Sequence, residues 1–180
     1  LQGMMWMSAA STLVSIAAVT IRDLSSDFTA IQLVFLRSLF GTICLSPWIF
    51  HNLRRGILST NRVPLYVLRS ALSYSGMVCV FYALALLPIG DVYSLLFLVP
   101  LLTVLMAILF LHEKSEIQTW LALGMGFVGA LVILQPGGEP PGLATVAVLY
   151  TALAYALTNI CIKLLSRTDD PLQITIFGNL

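Results

Sequence analysis

The feature that most constrains this chain is the spacing of its polar residues. Long apolar stretches, each about as long as a bilayer crossing, are separated only by short polar turns. Six such stretches lie near residues 3–21, 30–50, 64–88, 92–112, 117–135 and 143–165. A helix needs about 20 predominantly apolar residues to cross the hydrocarbon core. Backbone groups in that core must be bonded within the segment, so each stretch is expected to be helical. The turns between them are Arg22–Asp27, the basic stretch 51–63, Pro88–Asp91, His112–Glu116 and Gln135–Gly142. They leave no room for a soluble domain and force consecutive helices to run antiparallel. The expected fold is an all-α, multi-pass transmembrane helix bundle.

Composition excludes the alternatives. Residues AVILMFWYC make up 59% of the chain and charged residues 9%, with a mean hydropathy of +0.97. Soluble domains carry about 25% charged residues, so six core helices of a soluble protein are not expected. A membrane barrel would show strands of about 10 alternating residues with a polar lumen face, and these runs do not alternate. A net charge of +1 without a basic run points to no nucleic-acid partner. Cys44, Cys79 and Cys161 are embedded in apolar sequence and read as small buried hydrophobes rather than disulfide or metal ligands. No metal and no cofactor are expected. The first stretch lacks the preceding basic segment and small-residue exit of a cleaved signal, so it reads as a retained span.

Lys and Arg set the orientation. Arg54, Arg55, Arg62 and Arg69 flank the turn between spans two and three, Lys114 lies between four and five, and Lys163 and Arg167 end span six. All fall on one side if the helices alternate. The other side holds Arg22 beside Asp23, Asp27, Asp91 and Glu139. This places the amino terminus and the 51–63 loop in the cytoplasm of a cell (inner) membrane protein.

The sixth span begins to repeat the first at an offset of 141 residues. Residues 22–39 set against 163–180 give the identities Leu24/Leu165, Ser25/Ser166, Gln32/Gln173 and Leu39/Leu180, with Arg22/Lys163, Ile31/Leu172 and Leu33/Ile174 as conservative pairs. Five spans separate one member from the next, so the second unit is inverted relative to the first, as in many secondary transporters. The sequence stops early in a seventh apolar run, from about residue 172, and so reads as a fragment of a longer protein. The expected division is a five-helix unit over 1–138 and the start of a second over 139–180.

This layout resembles the EamA family of the drug/metabolite transporter superfamily, ten-helix carriers built from two inverted five-helix repeats. Arg37 in Leu36-Arg37-Ser38-Leu39 matches the family's second-helix arginine, and Phe81-Tyr82-Ala83-Leu84 closes the third helix in the family's manner. Pro100 follows Phe81 by 19 residues, and Glu113 follows Pro100 by 13, matching the acidic residue that ends helix four. Trp120 and Gly129 stand where the fifth helix has an aromatic and a glycine. Tyr155-Ala156, Asn159 and Lys163 resemble the first helix of the second repeat. The chain departs from the pattern at Val14-Ser15, where the family often has Trp-Gly, and at His112, where glycine is common. The resemblance covers essentially the whole chain. It implies a carrier whose pocket lies between the repeats, walled by spans one, three, four and six.

Individual residues carry two readings each. Arg37 lies seven residues into span two, roughly 10 Å deep at 1.5 Å per residue. A central arginine costs about 2.5–3.5 kcal/mol on insertion scales. It is either a cavity-facing cation for an anionic or zwitterionic solute, or a structural arginine that caps carbonyls or snorkels. Arg69, five residues into span three, is expected to snorkel to the basic side. Tyr74, Tyr82, Tyr93 and Tyr155 are core aromatics or solute contacts. Asn159 bonds either a solute or a neighbouring helix, and Lys163, one turn on, anchors the cytoplasmic end. Pro100 is expected to bend span four, as a static feature or as a hinge. Glu113 is an interface residue or a gating residue. Ala122, Gly126 and Ala130, with Gly129 alongside, form a small-residue ridge for close helix packing.

All eight acidic residues lie at span ends or in loops, so a membrane-centred proton relay of the small-multidrug-exporter kind is not expected in this portion. The functional expectation is a secondary transporter that moves a small organic metabolite or drug-like solute across the cell membrane by alternating access. The alternatives are a membrane-embedded enzyme acting on a lipid or peptide and a non-transporting scaffold. Against the enzyme, the sequence has no His-Glu-x-x-His pair and no Ser/His constellation within a span. The expected partners are a small-molecule solute and the lipid bilayer; oligomeric state is open.

Overall fold

The structure, a computed structural model, describes residues 2–53, 62–111, 117–134, 142–169 and 174. Seven helices account for nearly all of them: α1 (Gln2–Leu24), α2 (Ala30–Leu53), α3 (Val63–Leu86), α4 (Ile89–Leu96), α5 (Leu98–Leu111), α6 (Ile117–Leu134) and α7 (Leu143–Leu165). Four continuous runs are long and apolar enough to cross a membrane: Met4–Leu24, Val63–Leu86, Ile89–Leu111 and Leu143–Leu165. Ala30–Cys44 and Ile117–Gly129 are shorter apolar helices. The protein is an all-α, multi-pass membrane protein.

Local chemistry sets the helix ends. At the start of α2, the Thr29 backbone N–H and hydroxyl both donate to Gln32 Oε1, at 2.9 and 3.0 Å, half of a capping box. α3 opens with Pro64 in its first turn, where a missing N–H costs nothing. It stops where Leu87 turns extended (φ −108°, ψ 155°), as expected of a residue before proline. Inside α2, Pro47 cannot donate to Ile43. The Ser46 hydroxyl donates to that carbonyl instead, at 2.7 Å, so the bond lost in an apolar setting is replaced.

Span four differs from expectation in one respect. Its irregularity falls at Phe97, between α4 and α5, rather than at Pro100; there the backbone keeps right-handed helical angles (φ −62°, ψ −12°) and the N–H still donates to the Tyr93 carbonyl at 3.1 Å. The cause is still Pro100, whose ring crowds the carbonyl four residues earlier, that of Leu96. The one-residue irregularity puts Pro100 in the first turn of α5 while span four continues as a single crossing.

The core lies where α2, α3, α4 and α7 meet: Leu33 and Val34; Val80, Phe81, Ala83 and Leu84; Val92 and Leu95; and Val148. α7 packs most extensively against α3, and then against α5 and α4. It runs antiparallel to α3, since residues 75 and 76 meet 150 and 151 while Arg62 and Tyr66 meet Leu164 and Asp169. α7 is dominated by small and β-branched residues, which let it approach its neighbours closely. By contrast, Ala18 is the one buried residue among the described side chains of α1, and none is buried in α6.

Candidate functional site

Halfway along the bundle, side chains from four helices converge. On α2, Arg37 lies one turn beyond the buried Leu33 and Val34, hence on the face that meets α3. Its guanidinium donates to the Met77 sulfur of α3. Tyr155 of α7 is half-buried, and its hydroxyl is within electrostatic reach of Arg37, of Tyr93 on α4 and of Cys79 on α3. Met77 and Tyr93 both pack against the central core. One turn beyond Arg37, a side chain built at Gly41 would meet nothing within 4 Å among the described residues. The group is therefore an exposed cation beside Tyr155, with Tyr93 on the far side of that phenol.

A polar seam lies alongside. Thr151 Oγ1 donates to the Gly76 carbonyl at 3.0 Å as well as to Ala147 within its own helix at 2.8 Å. Ser75 Oγ and the Tyr150 hydroxyl are 2.9 Å apart. Gly76 is required by proximity, because an added Cβ would stand 3.0 Å from the Tyr155 ring and 3.4 Å from Ala154 Cβ. At one end of the same helix pair, Tyr66 donates to Asp169 Oδ2 at 2.8 Å and Arg69 to the Ile174 carbonyl at 2.8 Å. Arg69 thus reaches across to the chain beyond α7 rather than snorkelling. Its Nε is buried without a hydrogen-bond partner.

The remaining sequence candidates are dispersed. Tyr74 and Tyr82 are largely exposed, and no hydrogen bond joins them to the central group among the described residues. Asn159 donates to Thr103 Oγ1 of α5 at 3.2 Å, so it links two helices one turn from Tyr155. Pro100 is exposed at the α5 start. Of the small-residue ridge, Gly126 lies against Leu101, with an added Cβ only 2.7 Å from Leu101 Cδ2; Gly129 faces open space and Ala122 is exposed. Glu113 and the Ala130 side chain lie outside the described residues. Among the described residues, no cluster of His, Cys, Asp and Glu is arranged to hold a metal.

Sequence reasoning missed Thr151, Gly76, Ser75, Thr103 and the Tyr66–Asp169 pair. A hydroxyl in a helix satisfies itself on its own preceding turn as readily as on a neighbour, so Thr151 carried no distinguishing signal. The alanine-rich composition around it was the available hint of close packing.

Comparison with known proteins gives a consistent result. The EamA-like transporter family profile matches residues 1–135. The S-adenosylmethionine uptake transporter of Rickettsia prowazekii is 27% identical over 178 residues, 99% of this chain and 60% of that protein. The pseudopaline exporter of Pseudomonas aeruginosa is 27% identical over 169 residues, 93% of this chain and 59% of that protein. A riboflavin transporter of Brucella anthropi is 32% identical over 120 residues, 67% of this chain and 42% of that protein. The chain thus spans about half of the length of the curated relatives it matches. No solved structure matches it.

Proposed function

Because this chain belongs to the EamA-like transporter family, we propose that it forms part of a secondary transporter moving a small organic solute across the cell membrane by alternating access. The observation that carries this is the meeting of Arg37, Tyr93 and Tyr155 halfway along the bundle, between the first unit and α7. A membrane-embedded cation is expensive, and one exposed beside Tyr155 suits a polar solute. The relatives are named for both uptake and export and for different solutes, so direction and solute depend on each chain's own residues.

The first unit takes residues 1–138, and α7 opens an inverted second unit over 139–180. Shifting α1 by 141 residues places Gln2–Leu24 on Leu143–Leu165, the bounds of α7. The open faces of α1 and α6 receive the rest of the second unit. The end of the bundle that holds Arg62, Arg69 and Lys163 faces the cytoplasm, with the amino terminus on the same side.

Glu113 serves the α5 exit as an interface or gating residue, and the α4–α5 irregularity at Phe97, imposed by Pro100, is the hinge. Tyr74, Tyr82 and Asn159 form the margin of the solute path, and Ala122, Gly126, Gly129 and Ala130 a packing face.

The test is solute flux in liposomes holding the carrier at its full natural length. Saturable counterflow of at least one organic solute supports the proposal. Absence of flux across a broad metabolite panel, with correctly inserted protein, rejects it.

A further inference from the structure

Resting on the carrier reading, we infer that the Arg37 subsite takes the carboxylate of a solute whose flat apolar portion lies against Tyr93 and Tyr155.

A guanidinium presents five N–H donors in a planar fork matched to a carboxylate. Among the described residues, Arg37 bonds only the Met77 sulfur, and a thioether is a weak acceptor. No carboxylate on any described helix reaches it: Asp23, Asp27, Asp91 and Asp169 stand at helix ends or in turns. Arg37 is exposed on this face of α2, and among the described residues most of its donors have no partner. Tyr155 is its electrostatic neighbour and Tyr93 in turn neighbours Tyr155, so the two phenols supply ring faces and one hydroxyl each beside the cation. Among the described residues, none stands within 4 Å of a Cβ at Gly41, one turn along the same face of α2. A bidentate carboxylate satisfies the fork and neutralises the cation in one contact, and a flat substituent fills the aromatic side.

The experiment compares acids with their uncharged amides in the full-length carrier: phenylacetate against phenylacetamide, and indole-3-acetate against indole-3-acetamide. Binding is read as ligand-dependent thermal stabilisation in neutral detergent. A charge-assisted pair that replaces a neutral contact corresponds to at least a tenfold preference. The wild type is expected to prefer each acid by about tenfold or more. Arg37→Gln should bring the ratio to about one, with the thermal unfolding of the ligand-free variant reporting an intact fold. Arg37→Lys should retain part of the preference, since it keeps the charge without the fork.

Equal affinity for acid and amide in the wild type, a preference that survives Arg37→Gln, or no binding of either kind overturns the inference. If added phosphatidylglycerol abolishes the acid preference, the anion at Arg37 is a lipid headgroup, and the solute assignment is equally overturned. Counterflow of neutral solutes keeps the two readings apart. Flux without acid preference retains the carrier and removes the carboxylate subsite, whereas acid preference without flux does the reverse.

Discussion

α1 and α7 correspond under the 141-residue shift, yet they occupy different surroundings. α7 is enclosed by α3, α4 and α5, and Leu165, Val148, Thr151, Ala152 and Ala156 are fully buried. α1 touches the bundle mainly along α3 and buries Ala18 alone among its described side chains. The aligned pair Leu24/Leu165 makes the contrast concrete: the first is 38% exposed and the second 0%. Two helices of the same length thus differ in how much of their surface the described residues cover. The difference teaches that apolar length and composition do not by themselves decide which helix the bundle encloses.

The largest expected effect comes from emptying this contrast at Leu165. In the 180-residue chain, Leu165→Ala should cost about 2–5 kcal/mol of unfolding free energy in mixed micelles, as for a buried leucine that leaves a cavity. Leu24→Ala should cost under about 1 kcal/mol. Equal costs in the short chain would break the comparison.

Overfilling the seam comes next. Gly76→Leu drives a side chain into the Tyr155 ring and should destabilise by about 1–3 kcal/mol. Gly124→Leu on α6, where a Cβ meets nothing within 4 Å, should cause no loss. A thermal-shift comparison of the two reads the difference.

The smallest effect is a single hydroxyl. Thr151→Val removes the bond to Gly76 across the helices and should cost about 0.6 kcal/mol, typical of interhelical bonds in membranes. On α1, Thr12 Oγ1 bonds, among the described residues, only the Ser8 carbonyl of its own helix, at 2.9 Å, and Thr12→Val should be neutral by the same unfolding measurement.

Much of this arrangement is legible in the sequence because the bilayer leaves few options. Apolar length fixes the helices to within a few residues, and the offset that pairs Arg22 with Lys163 and Leu24 with Leu165 also carries the bounds of α1 onto those of α7. What stayed hidden depends on partners distant in sequence. Pro100 announced a disturbance in span four, but its place at Phe97 follows from which carbonyl the ring crowds. Arg37, Tyr93 and Tyr155 were identifiable as polar groups in apolar runs, although nothing in the sequence brought them together apart from Tyr74 and Tyr82. Gly76 and Thr151 matter only because α3 and α7 approach closely, and that approach is a property of the assembled pair.

The most direct test of the α3–α7 seam is a disulfide across it. A Cβ at residue 76 stands 3.4 Å from Ala154 Cβ, near the ~3.8 Å mean of disulfides. In a variant with Cys44, Cys79 and Cys161 replaced by serine, Gly76→Cys paired with Ala154→Cys should link α3 to α7 on mild oxidation in native membranes. Peptide mass spectrometry should detect that bridge, and none should appear for Gly124→Cys with Ala154→Cys. Two maleimide-reactive thiols at 76 and 154 that never join would contradict the seam and the placement of α7 within the first bundle.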